Sequence, residues 1–171
     1  MRQLWAPWRL EFIEGAQANP PGCIFCLFPA QEGEAPDRAN LLLGRSRHSF
    51  AILNKFPYNN GHLMVVPRRH SADLAGLPPE EGDDLHRLLQ LSVRLLGEAY
   101  RPEGYNVGMN LGRIAGAGIA DHLHYHVVPR WNGDTNFMPV LAETKVMIEH
   151  LSSSYEKLRA AFDRALPGAA G

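Results

Sequence analysis

The sequence predicts an α+β fold: a mostly antiparallel sheet, one long helix packed on a face of it and a second helix at the C-terminal end. Three observations carry that expectation. Short apolar runs of strand length are separated by turn-forming residues, leucines recur at helical spacing from Leu85 to Leu96, and three of the eight histidines alternate with apolar residues at 122–126. A chain of 171 residues, 45% of them hydrophobic, suits one packed unit, so residues 1–171 are expected to form a single domain.

Residues 1–22 read as an N-terminal arm. Trp5, Trp8 and Phe12 stand three and four apart, which suits an amphipathic turn or an arm that lays its rings on a neighbour. Pro20-Pro21-Gly22 breaks the chain before Cys23-Ile24-Phe25-Cys26, a tight loop in which both sulfurs can face one point. The polar segment 31–37 reads as a surface loop. Apolar runs at 41–43 and 49–53, separated by Arg45, Ser46 and Arg47, predict a hairpin. A turn-rich loop at 54–61, bracketed by Asn54 and His62, leads into a strand at 62–66 that Pro67 ends. Arg68-Arg69-His70 is a cationic cluster, either a solvated strand end or a functional one.

Pro78-Pro79-Glu80-Glu81 is a helix start, because proline lacks the amide that a first turn leaves unpaired and acids favour the positive end of the helix dipole. Leu85, Leu88, Leu89, Val93, Leu95 and Leu96 carry the helical period on to Tyr100, with His86 on the flank. Pro102-Glu103-Gly104 stops that helix, and 105–111 alternates as a strand. The glycine-rich turn 112–119 suits either amides converging on an anion or a tight reversal. In the extended segment that follows, His122, His124 and His126 share one face, while Leu123, Tyr125 and Val127 share the other. An irregular loop spans 132–139, a final helix spans 147–166 with Leu151, Tyr155, Leu158, Phe162 and Leu166 on one stripe, and 167–171 is a flexible tail.

A formal charge of −1 provides no broad basic field, which argues against nucleic acid as a partner. No apolar run reaches membrane-spanning length and the N-terminal stretch lacks a secretory pattern, so neither membrane nor export is expected and the cytoplasm is the default. The two cysteines are too close in sequence to staple a fold. In a reducing compartment their spacing points to metal ligation, with redox work as the alternative. A structural zinc needs two further donors, and His70 and His122 suit by position near strand ends. Three aligned imidazoles supply a nucleophile, a general acid or base, or metal ligands. Each also reads as an ordinary hydrogen-bonded strand residue when taken singly.

His122-Leu123-His124-Tyr125-His126-Val127-Val128 resembles the signature of the histidine triad family of nucleotide hydrolases and transferases. Gly61-His62 before an apolar strand, Pro67 and the Cys23/Cys26 pair resemble the family too, over residues 23–131. The flanks around Trp5 and Trp131 are similar to the bacterial diadenosine tetraphosphate phosphorylase branch.

The resemblance implies a HIT-like α+β fold and a covalent mechanism. His124 would attack the α-phosphorus of a nucleotide, and His126 and His62 would bind phosphate oxygens and assist the leaving group. His122 would orient the site and join Cys23, Cys26 and His70 around zinc. Asn54 would bind ribose hydroxyls and Asn110 phosphate, with backbone donors from the turn at Gly118. No metal is required for the covalent step. Hydrolytic members often carry Gly-Gln-Ser/Thr where this chain has Ala117-Gly118-Ile119. A missing amide there fits inorganic phosphate as acceptor.

The function implied is therefore phosphorolytic cleavage of dinucleoside polyphosphates. The alternatives are hydrolysis of the same compounds or of nucleoside phosphoramidates, and a zinc-stabilised nucleotide-binding module with weak catalysis. A homodimer is implied as well.

Overall fold

The computed structural model describes residues 22–134, 147 and 149–166. The aromatic N-terminal arm, most of the loop after Trp131 and the C-terminal tail lie outside the described residues. Two short helices, α1 (Ile24–Leu27) and α2 (Glu34–Asn40), precede strands β1 (Leu42–Arg45), β2 (Ser49–Leu53) and β3 (Leu63–Pro67). Helix α3 (Pro79–Tyr100), strands β4 (Gly104–Met109) and β5 (Tyr125–Arg130), and helix α4 (Leu151–Ala165) follow. The five strands form one antiparallel sheet in the order β1-β2-β3-β5-β4.

Strand periodicity divides the interior into two cores. Ala51 and Leu53 of β2, Leu63 and Val65 of β3, and Val127 of β5 pack with Leu85, Leu88, Leu96, Tyr155, Leu158 and Phe162 of α3 and α4. The alternate residues Phe50, Ile52, Met64 and Val66 pack on the opposite face with Phe25 of α1 and Leu42. Both long helices thus cover one face of the sheet, and α1 covers part of the other. β2 and β3 are buried along their whole length, which is why they read as continuous apolar runs.

Helix α3 starts with Pro79 in its first turn, has Glu80 and Glu81 there, and stops at Arg101, whose φ of 47° is left-handed. The predicted stripe is buried except for Val93, and His86 is exposed, as expected for a flank residue. Helix α4 is shorter than the predicted 147–166. It begins only after His150, whose ψ of 144° is extended, while Glu149 accepts hydrogen bonds from Tyr100 and Ser154 and pairs with Lys157. Polar contacts hold that entry off the helical path.

The segment read as a surface loop at 31–37 runs into α2 instead. Its Asp37 is buried and takes Arg45 at 2.6 Å and Arg159 at 2.7 Å, joining α2, β1 and α4. A helix whose buried face is one acid between two arginines has no apolar period to show. Among the cationic residues after Pro67, Arg69 grips Glu81 of α3 through three contacts of 2.6–3.0 Å, a structural pairing. Its pKa is raised by that carboxylate.

Candidate active site

The regular part of the histidine strand is shorter than the sequence suggests. Its ladder with β3 begins at Tyr125, opposite Val65, so His122 and His124 precede the strand and only His126 lies within it. Pro67 explains the stop: the end of β3 has no amide to donate there, and its carbonyl oxygen is taken by the His122 ring instead. The shared face nevertheless persists. The His124 and His126 rings are 4.9 Å apart, and the buried Phe25 ring touches both His122 (5.4 Å) and His124 (5.1 Å).

His62 comes from the other side of the β3–β5 ladder's start. It follows Gly61, whose φ of +73° suits glycine and whose added Cβ would stand 3.0 Å from Tyr100 and 3.2 Å from Leu96. Its amide bonds to Asn59, and Asn59 in turn holds Pro129 and Asp134, so the loop is tied to the end of β5.

Hydrogen-bond partners fix the proton on each ring. The His124 Nδ1 lies 2.9 Å from the His122 carbonyl, which only accepts, so Nδ1 carries the hydrogen and Nε2 keeps its lone pair. The Tyr58 amide donates to His62 Nδ1 at 3.0 Å, so the hydrogen of His62 is on Nε2, where it donates to His126 Nδ1 at 3.0 Å. Neutral His126 must then carry its own hydrogen on Nε2. The site therefore holds one imidazole with a free lone pair and, beside it, a relay that ends in a donor. Burial favours the neutral forms of His122, His124 and His126. It lowers the pKa of His122 and His124, and burial together with the charge of His124 pushes His126 down to about 4.

A second cluster adjoins the first. One donor atom each from Cys23, Cys26, His70 and His122 lies within 4.8 Å of the others. Tetrahedral zinc, with sulfur at about 2.3 Å and nitrogen at about 2.0–2.1 Å, holds its donors roughly 3.3–3.8 Å apart. His122 Nδ1 is 3.3 Å from Cys23 Sγ, 3.7 Å from Cys26 Sγ and 3.3 Å from His70 Nδ1, and Cys26 Sγ is 3.4 Å from His70 Nδ1. The His122 Nε2 donates to Pro67 at 2.8 Å, which leaves Nδ1 bare for a metal, the usual device by which a carbonyl orients a ligating histidine. Burial and the neighbouring Cys23 raise the Cys26 thiol pKa, a repulsion that a cation between the sulfurs removes. The residues fit zinc.

The other sequence candidates sit around this centre. Asn110 lines a cavity of about 460 Å³ together with His126, and its amide reaches the Gly116 carbonyl at 3.4 Å. Asn54 closes the loop before β3, its Oδ1 accepting the Phe56 amide at 2.9 Å. Gly118 is exposed in the segment between a single 3-10 turn (Arg113–Ala115) and His122. Two contributors lay beyond sequence reasoning. Phe25 reads as a spacer between cysteines and Tyr58 as a loop residue, because nothing in a linear pattern places either ring against a histidine.

A family model described as HIT domain matches residues 35–133, more than half of the chain. The chain belongs to the histidine triad (HIT) family. Among HIT relatives, it is 39% identical over 150 residues to the AP-4-A phosphorylase of Mycobacterium tuberculosis, an alignment covering 86% of this chain and 77% of that protein. It is 34% identical over 110 residues to the adenosine 5'-monophosphoramidase of Schizosaccharomyces pombe, covering 64% of this chain and 75% of the relative. The fold matches a zinc-bound histidine triad family protein from Mycobacterium smegmatis with a TM-score of 0.65 and 27% identity, covering 84% of this chain and 95% of that one. The HIT match begins after the cysteine pair, so Cys23 and Cys26 lie before the matched segment while His70 and His122 lie within it.

Proposed function

We propose that the protein cleaves dinucleoside polyphosphates such as diadenosine tetraphosphate, with inorganic phosphate as the acceptor. It is a nucleotide-processing enzyme of the histidine triad type. The observation that carries the reading is the pair of ring tautomers: a bare Nε2 on His124 beside a hydrogen-bearing Nε2 on His126. The named activity of the M. tuberculosis relative supports the substrate.

His124 Nε2 attacks the α-phosphorus, forming a phosphorus–nitrogen bond as the bond to the leaving oxygen breaks. His126 directs its Nε2–H hydrogen bond at that oxygen, which departs as an anion, and the His62 N–H held on His126 Nδ1 keeps that donor in place. A phosphate oxygen then attacks the nucleotidyl-histidine, and the phosphorus–nitrogen bond breaks, returning the lone pair to His124 Nε2. Asn110 and backbone donors near Gly118 serve the phosphate oxygens, and Asn54 serves the ribose. Cys23, Cys26, His70 and His122 would hold a structural zinc, which would tie α1 to the segment that carries the nucleophile. A homodimer in the cytoplasm completes the proposal, supported by β4, which lies at the edge of the sheet with Val107 exposed. No helix among the described residues is long and apolar enough to cross a membrane.

The test is product separation after incubation with diadenosine tetraphosphate, with and without radiolabelled phosphate. Phosphorolysis yields ATP and labelled ADP. AMP and ATP, formed equally fast without phosphate, would establish the hydrolytic alternative, and no turnover would leave the binding-module reading.

A further inference from the structure

The Tyr58 amide secures His62, but its ring is not used by the chemistry above. That ring lies nearly parallel to His62, with centroids 4.8 Å apart and planes at 28°, and to His126 at 6.0 Å and 30°. The imidazoles therefore cover one side of it. The residue is still 42% exposed, and it lines the same 460 Å³ cavity as His126 and Asn110. A volume of this size is that of a small-molecule site, with room for more than a phosphate.

The cavity has a direction. It follows the β4–β5 ladder, where Gly108 stands opposite His126 and Asn106 opposite Val128, and it includes Arg130 and Asp134 in its lining. His126 presents its Nε2 hydrogen to the departing oxygen, so the leaving group, and not the nucleotide retained on His124, is the part of the substrate on this side. The retained nucleoside belongs near Asn54, which does not line the cavity.

We infer that Tyr58 is a stacking platform for the second nucleobase, the one that departs with the leaving group, and that this cavity is its subsite. The inference rests on the proposed cleavage of dinucleoside polyphosphates and adds the basis for preferring two nucleosides over one. A base on the uncovered side of Tyr58 extends the stack by one ring spacing beyond His62, at the remove from His126 that a short polyphosphate chain bridges. The amides of Asn59, Asn106 and Asn110 border that path. Aromatic stacking tolerates any base, because every base has a π face, and is worth about five- to 150-fold in affinity per base.

The experiment compares diadenosine tetraphosphate with adenosine 5'-tetraphosphate, which has the same chain and no second nucleoside. Tyr58→Ala lowers kcat/KM for the first at least about tenfold more than for the second, and Tyr58→Phe restores the difference. An equal fall on both substrates would mean that the ring only steadies the histidine pair, and the inference would be overturned. Calorimetric binding to the His124→Ala protein removes the dependence on turnover. There Tyr58→Ala weakens diadenosine tetraphosphate by the same order and leaves adenosine tetraphosphate nearly unaffected; equal affinities for diadenosine tetraphosphate with and without the ring would also overturn it. Turnover of adenosine tetraphosphate by the wild-type protein reports on the proposed chemistry separately from Tyr58.

Discussion

His62 Nε2 stands 3.0 Å from His126 Nδ1, and the Tyr58 amide on the opposite nitrogen of His62 decides which of the two rings donates. The proton position on the His126 ring, the proposed leaving-group partner, is thus set by one main-chain amide in a neighbouring loop. His62→Ala removes the donor and lets His126 adopt either tautomer. The expected loss in kcat is about 100-fold. His62→Gln, with an amide able to donate from a similar position, recovers part of it. Unchanged pre-steady-state formation of the nucleotidyl-enzyme in His62→Ala would refute the relay.

Metal is expected at about one equivalent of zinc per chain, measured by elemental analysis of protein purified without added metal. Cys26→Ser removes a donor from the cluster and lowers both zinc content and Tm, because metal affinity contributes directly to folding free energy. Strong chelation of the wild-type protein lowers Tm in the same direction. Equal melting of the wild type and Cys26→Ser, with no zinc in either, would show that the four donors meet without a metal role.

Gly61→Ala places a methyl group 3.0 Å from the Tyr100 ring at a φ of +73°. Strain of about 1–3 kcal/mol is expected, which lowers Tm by several degrees in a protein of this size. Since His62 is the next residue, kcat falls too. Differential scanning calorimetry and steady-state kinetics check the pair of effects; a wild-type Tm would remove the steric argument.

Stability is expected to decline as the pH falls from about 6.5 to 4. An unfolded imidazole titrates near 6.5, whereas burial and His124 delay His126 until about 4, and burial lowers His122 and His124 as well. Between these values the unfolded chain binds more protons, so stability is full above the unfolded pKa and is lost toward the folded one. Thermal melts at pH 7 and 4.5 give the slope, and His126→Gln flattens it. An identical slope in that variant would show that His126 does not contribute.

The sheet was legible in the sequence because β2 and β3 are buried on both faces and declare themselves as apolar runs, and α3 because its leucines keep the helical period. The histidine cluster was legible for the same reason: alternation along an extended chain survives in the ring contacts even though regular pairing begins only at Tyr125. Other features depend on distant parts of the chain. Asp37 is buried by partners at positions 45 and 159, so its helix looked like a polar loop. Glu149 is held by Tyr100, Ser154 and Lys157, which moves the start of α4 by several residues. Phe25 and Tyr58 take their meaning from which imidazoles lie against them, and no local pattern encodes that.

The hydrogen bond from His122 to the Pro67 carbonyl also governs how many protons a metal displaces. With Nε2–H committed to that carbonyl and Nδ1 already bare, His122 enters coordination without releasing a hydrogen. Were a metal to bind there, His122 would add nothing to the protons released, so the dependence of the heat of uptake on the ionisation enthalpy of the buffer would report on the other three donors. The strand end that stops the β-ladder thereby leaves the His122 ring in the form a metal would take up.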